Sequence, residues 1–440
     1  MNPLFSLVIP FDDSSRTAAM DLASLVRSGS AQVVLVGPGA SQAPVPKGVL
    51  GVEGLSTQGD SLRAALAHVS APITVLLSPD PAYGGTSFAD VTAPILSNQA
   101  DAVFATRASS PSLPDRALSG LTQLVTRTVL HDPATGVRAF RTSSLKALSL
   151  QSSDEAIDSE IIVKLSAQMC RFAEVAISAP RTPSTLRSQL ARARALVRYG
   201  TTHNDTDNQH EGYNTLARME TAPRYNAWIG RRIRPHLGPR VLEVGAGIGT
   251  ITEQIEPGRE LVIALEVDPF YVDRLKNRFR DKPHVRPYLS GVELADWERL
   301  HAERIDSIVL SNVLEHIEDD AGAVRNFRHA LQPGGKLIVL VPALPALFGS
   351  MDEAVGHFRR YTPATLTAAL EAGGFQVETL EWMNLVGIPG WFVNSRVLKK
   401  RAVPPFQLRA YDALAPLLAE AEARVKLPVG MSLFAVARAP

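Results

Sequence analysis

An apolar run that breaks into three alternating glycines, VLEVGAGIGT at residues 241–250, sets the terms for the second half of this chain. Glycine reaches positive φ without a Cβ penalty, so Gly245, Gly247 and Gly249 predict a tight turn from a strand into a helix. Main-chain N–H groups left bare at a helix start can approach a nucleotide-like ligand closely. A second apolar strand, Leu261 to Leu265, ends in Glu266, twenty-one residues after Gly245. In dinucleotide-type α/β folds an acid at about this distance accepts ribose hydroxyls. Glycine spacing alone is a weak signal; the acid at the right distance strengthens it.

At 440 residues the chain exceeds what one hydrophobic core usually organises, which implies two domains or more. Its 45% apolar and 20% charged residues are ordinary for a globular protein, and a net charge of +1 gives no electrostatic reason to expect nucleic acid as partner. The single cysteine, Cys170, excludes an intrachain disulfide and a cysteine zinc cluster, and its apolar helical surroundings place it in a core. The opening MNPLFSLVIPFDD lacks a basic region followed by a long apolar stretch, and no window of about 18 uninterrupted apolar residues occurs. A cytoplasmic protein with at most a peripheral membrane contact is expected.

In the first half, strand-like runs at 5–9, 32–36, 73–77 and 102–105 alternate with helical patterns near 15–27, 61–69, 87–96 and 116–130. Such alternation implies an α/β domain with a largely parallel sheet covered on both faces. Ligands of such sheets bind beyond the carboxyl ends of the strands, which points to Asp12, Asp13, Gly37 to Gly39 and Asp80. Residues 4–185 resemble the family 2 GT-A glycosyltransferases, in particular the dolichyl-phosphate-mannose-synthase-like branch. The resemblance rests on SLVIPFDD, LLSPDPAYGG and HDPATGVRAFRTSSL, of which the last is the most specific. It implies a nucleotide-sugar site with Mg²⁺ or Mn²⁺ held at Asp80 and a catalytic Asp132, with Arg138, Asp158 and Glu160 beside it. Two departures weaken the implied activity: VGPGAS stands where the family has an acidic turn, and Ser78 replaces the first acid of its Asp-x-Asp. One carboxylate is a poor holder for a hard cation. The alternative is a domain that only positions a substrate. In the bland reading Asp132 caps a turn and the other acids lie on a solvated helix face.

Residues 186–212 join the halves. Arg187, Arg192, Arg194 and Arg198 flank Leu186, Leu190, Ala193 and Val197, the pattern of a basic amphipathic helix that docks on its own domain or lies on an anionic membrane. The polar TTHNDTDNQHEG then reads as a linker. From residue 213 onward, VLEVGAGIGT, LVIALEVDP, IDSIVLSNVLEHIEDD and LQPGGKLIVLVP follow in order, preceded by an aromatic segment at 213–237 expected to cap the glycine turn.

Those four motifs, over residues 213–440, resemble the class I S-adenosylmethionine-dependent methyltransferases, a Rossmann-like fold. The resemblance implies that Glu243, Gly245, Ala246, Gly247 and Gly249 surround the methionine part of S-adenosyl-L-methionine, that Glu266 accepts the ribose hydroxyls, and that Ser311 and Asn312 lie beside the sulfonium. Where many members have an acid at the adenine, Ser290 and Gly291 stand here, so that contact falls to backbone or to another side chain. DEAVGHFRRY, at 352–361, resembles the H-x-R-R-Y stretch of related enzymes and supplies the acceptor side. Methyl transfer to a hydroxyl needs alignment and removal of one proton. His357 is the first choice for that base and His316 the second; Arg359, Arg360 and Tyr361 are expected to bind an acidic acceptor, or else Arg360 pairs with Asp352 and Tyr361 packs inside. Trp391 and Phe392 suit either a membrane interface or core packing. The sequence thus predicts a two-domain α/β transferase: a methyltransferase acting on oxygen of a sugar, a nucleotide-sugar or a lipid-linked glycan, fused to a glycosyltransferase-like domain that transfers a sugar to the same substrate or merely positions it.

Overall fold

The computed structural model describes residues 3–11, 31–43, 45–54, 57–78, 83, 86–107, 110–179, 185–201 and 213–440. Asp12, Asp13, Asp80, the expected helix at 15–27 and the linker with His203 and His210 lie outside these residues. The chain divides into two compact units, residues 1–207 and 208–440.

Seven strands form the sheet of the first unit: β1 (Phe5–Pro10), β2 (Ala31–Gly37), β3 (Val49–Glu53), β4 (Ile73–Leu77), β5 (Ala102–Arg107), β6 (Val137–Arg141) and β7 (Phe172–Ile177), in the order β3-β2-β1-β4-β6-β5-β7. All pairs are parallel except those of β6, which runs antiparallel to β4 and to β5. Side chains alternate between faces along each strand. Leu7 and Ile9 therefore enter one apolar core and Val8 the other, and β2 splits in the same way, Val33 and Leu35 against Val34 and Val36. Cys170 is buried in one of these cores. The antiparallel β6 brings the start of its strand to the carboxyl end of β4, where Leu77 pairs with Val137. There the Ser78 N–H donates to the Gly136 carbonyl at 2.7 Å, and the Gly136 N–H donates to the Tyr83 hydroxyl at 3.2 Å. Two of the three quoted N-terminal motifs thus meet.

The basic helix Leu186–Thr201 packs within the first unit, where Leu196 meets Leu118 and Val163. Arg192 is buried and bonds Ser188 Oγ at 2.6 Å and Asp158 at 3.3 Å, so this arginine is internal, while Leu186, Leu190 and Val197 are exposed.

The second unit has its own seven-stranded sheet: β8 (Arg240–Val244), β9 (Leu261–Glu266), β10 (Val285–Leu289), β11 (Ile305–Ser311), β12 (Leu331–Pro342), β13 (Gln376–Met383) and β14 (Ser432–Arg438), in the order β10-β9-β8-β11-β12-β14-β13. The first five are mutually parallel, and β14 is antiparallel to both β12 and β13. The last strand in the chain is not the last in the sheet: it is inserted beside β12, and β13 takes the edge. The reason is composition: SLFAVAR offers apolar side chains to both faces, Leu433 and Ala435 to one core and Phe434 and Val436 to the other, which suits an interior strand. Helices Tyr213–Glu220 and Pro223–Ile233 precede β8, with Tyr225, Trp228, Ile229 and Ile233 buried beneath it. Among the described residues no helix is long and apolar enough to cross a membrane.

Candidate functional site

The glycine run leaves β8 where the sheet order reverses between β8's neighbours β9 and β11, the crevice in which open α/β sheets place ligands. Gly245, Gly247 and Gly249 take φ values of 69°, 53° and 82°, a region that favours glycine. The turn is also crowded: a Cβ on Gly245 would lie 2.5 Å from Val313 Cγ2, and one on Gly247 would lie 3.2 Å from Leu216 Cδ1. Leu216 belongs to the helix Tyr213–Glu220, which therefore covers the turn. The N–H groups of Gly245 and Ala246 both donate to the Leu265 carbonyl, at 2.9 and 3.0 Å, locking the turn against the end of β9.

Glu266 closes the same corner. One carboxylate oxygen accepts the Gly247 N–H at 2.7 Å, and the other accepts Val267 N–H at 2.8 Å and Asp268 N–H at 3.1 Å. Burial raises its pKa, and these three backbone donors oppose the rise. Glu243 lies deeper and accepts the Thr252 hydroxyl at 2.6 Å; burial pushes its carboxyl up to about 8 against that hydrogen bond. At the end of β11, Ser311 is half-buried and Asn312 exposed. Asn312 has a φ of 55°, and its N–H donates to Leu340 O at 2.8 Å. On the β10 side, the Ser290 N–H donates to Glu266 O at 3.0 Å.

The short turn Leu314–His316 follows β11, and the stretch 352–361 folds back onto it. The Phe358 N–H donates to Glu315 O at 2.9 Å, and the Tyr361 hydroxyl donates to Asp320 at 2.7 Å and Leu314 O at 3.3 Å. His357 and His316 come together edge to face, with ring centroids 4.6 Å apart. His357 is held through Nδ1 by Asp352 at 2.9 Å, its side chain nearly buried, while His316 is exposed at its outer edge. Burial, then the neighbouring His357, lowers His316 to about 4, with a backbone hydrogen bond to Gly356 working the other way. Glu315 is fully buried, and neither of its carboxylate oxygens has a hydrogen-bond partner. Burial raises it to about 8.

Two expected acceptor contacts are corrected by these positions. Arg360 is not presented to a ligand: its buried guanidinium bonds Asp352 at 2.7 Å and Ala343 O at 2.9 Å and stacks on Trp391, 4.7 Å from the ring centroid. Tyr361 is 1% exposed and serves the packing between the two segments. Of the RRY triplet only Arg359 reaches the surface, and it pairs with Asp320 at 2.8 Å. Phe392 is exposed beside the half-buried Trp391. Glu315 and Asp352 were not assigned site roles from sequence; an acid beside or five residues before a histidine was the available signal.

In the first unit, Asp132 is likewise an internal group. Both its oxygens accept from Arg107, Nε at 2.7 Å and Nη2 at 2.6 Å, and both side chains are buried. This pairing departs from the expected catalytic placement: the chain delivers a guanidinium from the end of β5 to the same corner. Asp158 is buried between Arg138 and Arg192, and Glu160 accepts the N–H groups of Gln151 and Ser152 at 2.8 and 2.7 Å. Neither acid lies on a solvated helix face. The implied cation site at Asp80 falls outside the described residues.

Comparison with known proteins agrees with the geometry of the second unit. A family model described as a methyltransferase domain matches residues 215–380. A probable S-adenosylmethionine-dependent methyltransferase of Mycolicibacterium smegmatis is 30% identical over 143 residues, 32% of this chain and 53% of its own. Nodulation protein S of Rhizobium tropici is 33% identical over 100 residues, 22% of this chain and 40% of its own. The chain thus spans about half the length, or less, of these curated relatives. Among solved structures, phosphoethanolamine N-methyltransferase 2 of Haemonchus contortus in complex with S-adenosyl-L-methionine aligns at a TM-score of 0.34 and 17% identity, over 49% of this chain and 52% of that one. Residues 215–380, the stretch that carries the glycine turn, Glu266 and the segment 352–361, thus match a methyltransferase domain.

Proposed function

We propose that the second unit transfers the methyl group of S-adenosyl-L-methionine to an oxygen of a sugar or lipid-linked glycan, and that the first unit binds the acceptor. The observation that carries the reading is the coupling of the glycine turn to Glu266 at the crevice of the sheet. In this reading Glu243 and residues 245–249 hold the methionine part, Glu266 turns a free lone pair to the ribose hydroxyls, and Ser311 and Asn312 flank the sulfonium. The paired imidazoles of His357 and His316 supply the proton acceptor for the hydroxyl, with Asp352 orienting the His357 ring by accepting a hydrogen bond from Nδ1. Arg359, the one exposed member of its triplet, meets an acidic group on the acceptor.

The positioning role for the first unit is supported by the ion pairs Arg107–Asp132 and Arg138–Asp158–Arg192, which engage both carboxylate oxygens of each acid with arginine. A second reading, sugar transfer with Mg²⁺ or Mn²⁺ at Asp80, is supported by the HDPATGVRAFRTSSL segment and its junction with Tyr83. Calorimetric titration with S-adenosylhomocysteine, and separately with a panel of sugar nucleotides with and without manganese, tests both. Binding of the first ligand alone supports the positioning role; binding of both supports a bifunctional enzyme; binding of neither refutes the proposal.

A further inference from the structure

Glu315 presents a problem in elementary electrostatics. Its carboxylate is fully buried with both oxygens unpartnered, and a buried polar group left unbonded costs about 1–3 kcal/mol, more when charged. The nearest polar atom facing it is Nε2 of His357, 3.8 Å from Oε1, too far for a hydrogen bond. His357 Nδ1 is hydrogen-bonded to Asp352 at 2.9 Å, which leaves Nε2 as the ring nitrogen facing Glu315. The Glu315 carboxyl and the His357 ring therefore face each other across a gap that neither closes with a hydrogen bond. The ring of His316 completes the enclosure, and one ligand atom from each of Glu315, His316 and His357 falls within 4.8 Å of the others.

We propose that Glu315, His316 and His357 bind a divalent transition-metal ion of the zinc type, which activates the acceptor hydroxyl for methyl transfer. Two ligands at about 2.0–2.2 Å from one ion stand 3–4 Å apart, the separation that Glu315 and His357 already have. Two imidazoles and one carboxylate are the donors of zinc and ferrous sites, whereas magnesium and calcium take oxygen ligands. The other nitrogen of the His357 ring is also engaged, by Asp352 at 2.9 Å. Such outer partners fix the tautomer that leaves the second nitrogen free to bind metal.

Three protein ligands leave a coordination position open, the arrangement of catalytic rather than structural zinc. The site follows β11 by four residues, beside Ser311 and Asn312. Resting on the methyl-transfer reading above, this assigns the acceptor to the hydroxylated class. Its oxygen binds the ion and releases its proton to water. The oxygen lone pair then forms the O–CH₃ bond as the C–S bond breaks, and sulfur keeps the electron pair as a neutral thioether. With the ion bound, the imidazoles act as its ligands, and the ion replaces the proton-acceptor role that the reading above gives them.

The test uses the full chain, stripped with a chelator and titrated with Co²⁺, Zn²⁺ and Mg²⁺, with cobalt absorption as the readout of ligand geometry. We expect one Co²⁺ or Zn²⁺ per chain, no comparable Mg²⁺ binding, and a loss of affinity of about 100-fold or more in His316→Ala, since removing even an outer-shell partner costs 10–100-fold. His316 is exposed, so this variant folds, and titration with S-adenosylhomocysteine verifies it. Glu315→Gln should lose the ion as well. Absence of Co²⁺ and Zn²⁺ binding, or binding unchanged in both variants, overturns the metal site even where S-adenosylhomocysteine still binds. Intact metal binding without S-adenosylhomocysteine binding overturns its use in methyl transfer.

Discussion

Replacing Glu266 by glutamine separates the two jobs its carboxylate performs. The structure gives it three backbone donors, at 2.7, 2.8 and 3.1 Å, and almost complete burial. Glutamine keeps one oxygen, and the pair of bonds from Val267 and Asp268 on one side fixes where that oxygen goes. Its amide nitrogen then faces the Gly247 N–H, and one hydrogen bond to a charged acceptor, worth about 1.5–3 kcal/mol, is lost. Set against this, burial raises the pKa of Glu266 despite three donors, so the neutral amide escapes a desolvation cost of similar size. Unfolding stability should therefore shift by no more than about 1 kcal/mol, which urea denaturation resolves. Cofactor binding has no such compensation, because an amide presents one acceptor where two ribose hydroxyls need a charged one. Losing about 1.5–3 kcal/mol there lowers S-adenosylhomocysteine affinity by about 10- to 100-fold at 1.4 kcal/mol per tenfold. Calorimetry that finds Glu266→Gln binding S-adenosylhomocysteine as tightly as the wild type would refute the assignment of Glu266 to the ribose.

Gly245→Ala should lose about 1–2 kcal/mol for a left-handed alanine and more for displacing Val313, with weakened S-adenosylhomocysteine binding; Gly258→Ala, at φ 76° with open space around it, should show the backbone cost alone and bind normally in the same titration. Arg360→Met strips the buried Asp352 of its main counter-charge and should cost about 3–5 kcal/mol in chemical denaturation, whereas a surface substrate contact would leave stability unmoved. Tyr361→Phe should cost about 1–2 kcal/mol by the same assay, for the bonds to Asp320 and Leu314. Glu243 holds its proton more tightly folded, up to about 8, than unfolded, so stability falls as pH rises from the ordinary carboxylate range toward 8; Glu243→Gln should make that slope of Tm against pH shallower, and an unchanged slope would contradict the buried, raised carboxyl.

The cofactor side was legible because its signals are local. Glycines 245, 247 and 249 write a backbone conformation directly into the sequence, and Glu266 follows at a distance fixed by one helix and one strand. The alternating strands of the first unit were legible for the same reason, by period, to within one residue at the edges of β1 and β2 and in full for β4. β6 and β7 were not read as strands: VRAFR mixes charge into a five-residue run, and its place between β4 and β5 comes from antiparallel pairing that no local pattern encodes. The position of β14 inside the sheet is likewise not encoded locally, since chain order says nothing about insertion.

Charged residues near the acceptor side and in the first unit were located by motif, but their roles depend on partners far away in sequence. Arg360 looks like an anion ligand until Asp352 and the Trp391 ring are brought to it, and Asp132 looks like a catalytic acid until β5 delivers Arg107. In each case burial decides, because a buried guanidinium or carboxylate must find its counter-charge inside the protein, and opening such a pair costs more than one ligand contact returns. Glu315 breaks that rule. It is as buried as Asp132 and Asp352, yet no hydrogen-bond donor reaches its oxygens, and the nitrogen that faces it, Nε2 of His357, stands 3.8 Å away. The arrangement that satisfies every other buried acid in these two segments with a cationic side chain leaves this one open, next to the exposed ring of His316. A divalent cation held there, as proposed above, gives this carboxyl its missing partner at a site that follows β11 directly in the chain.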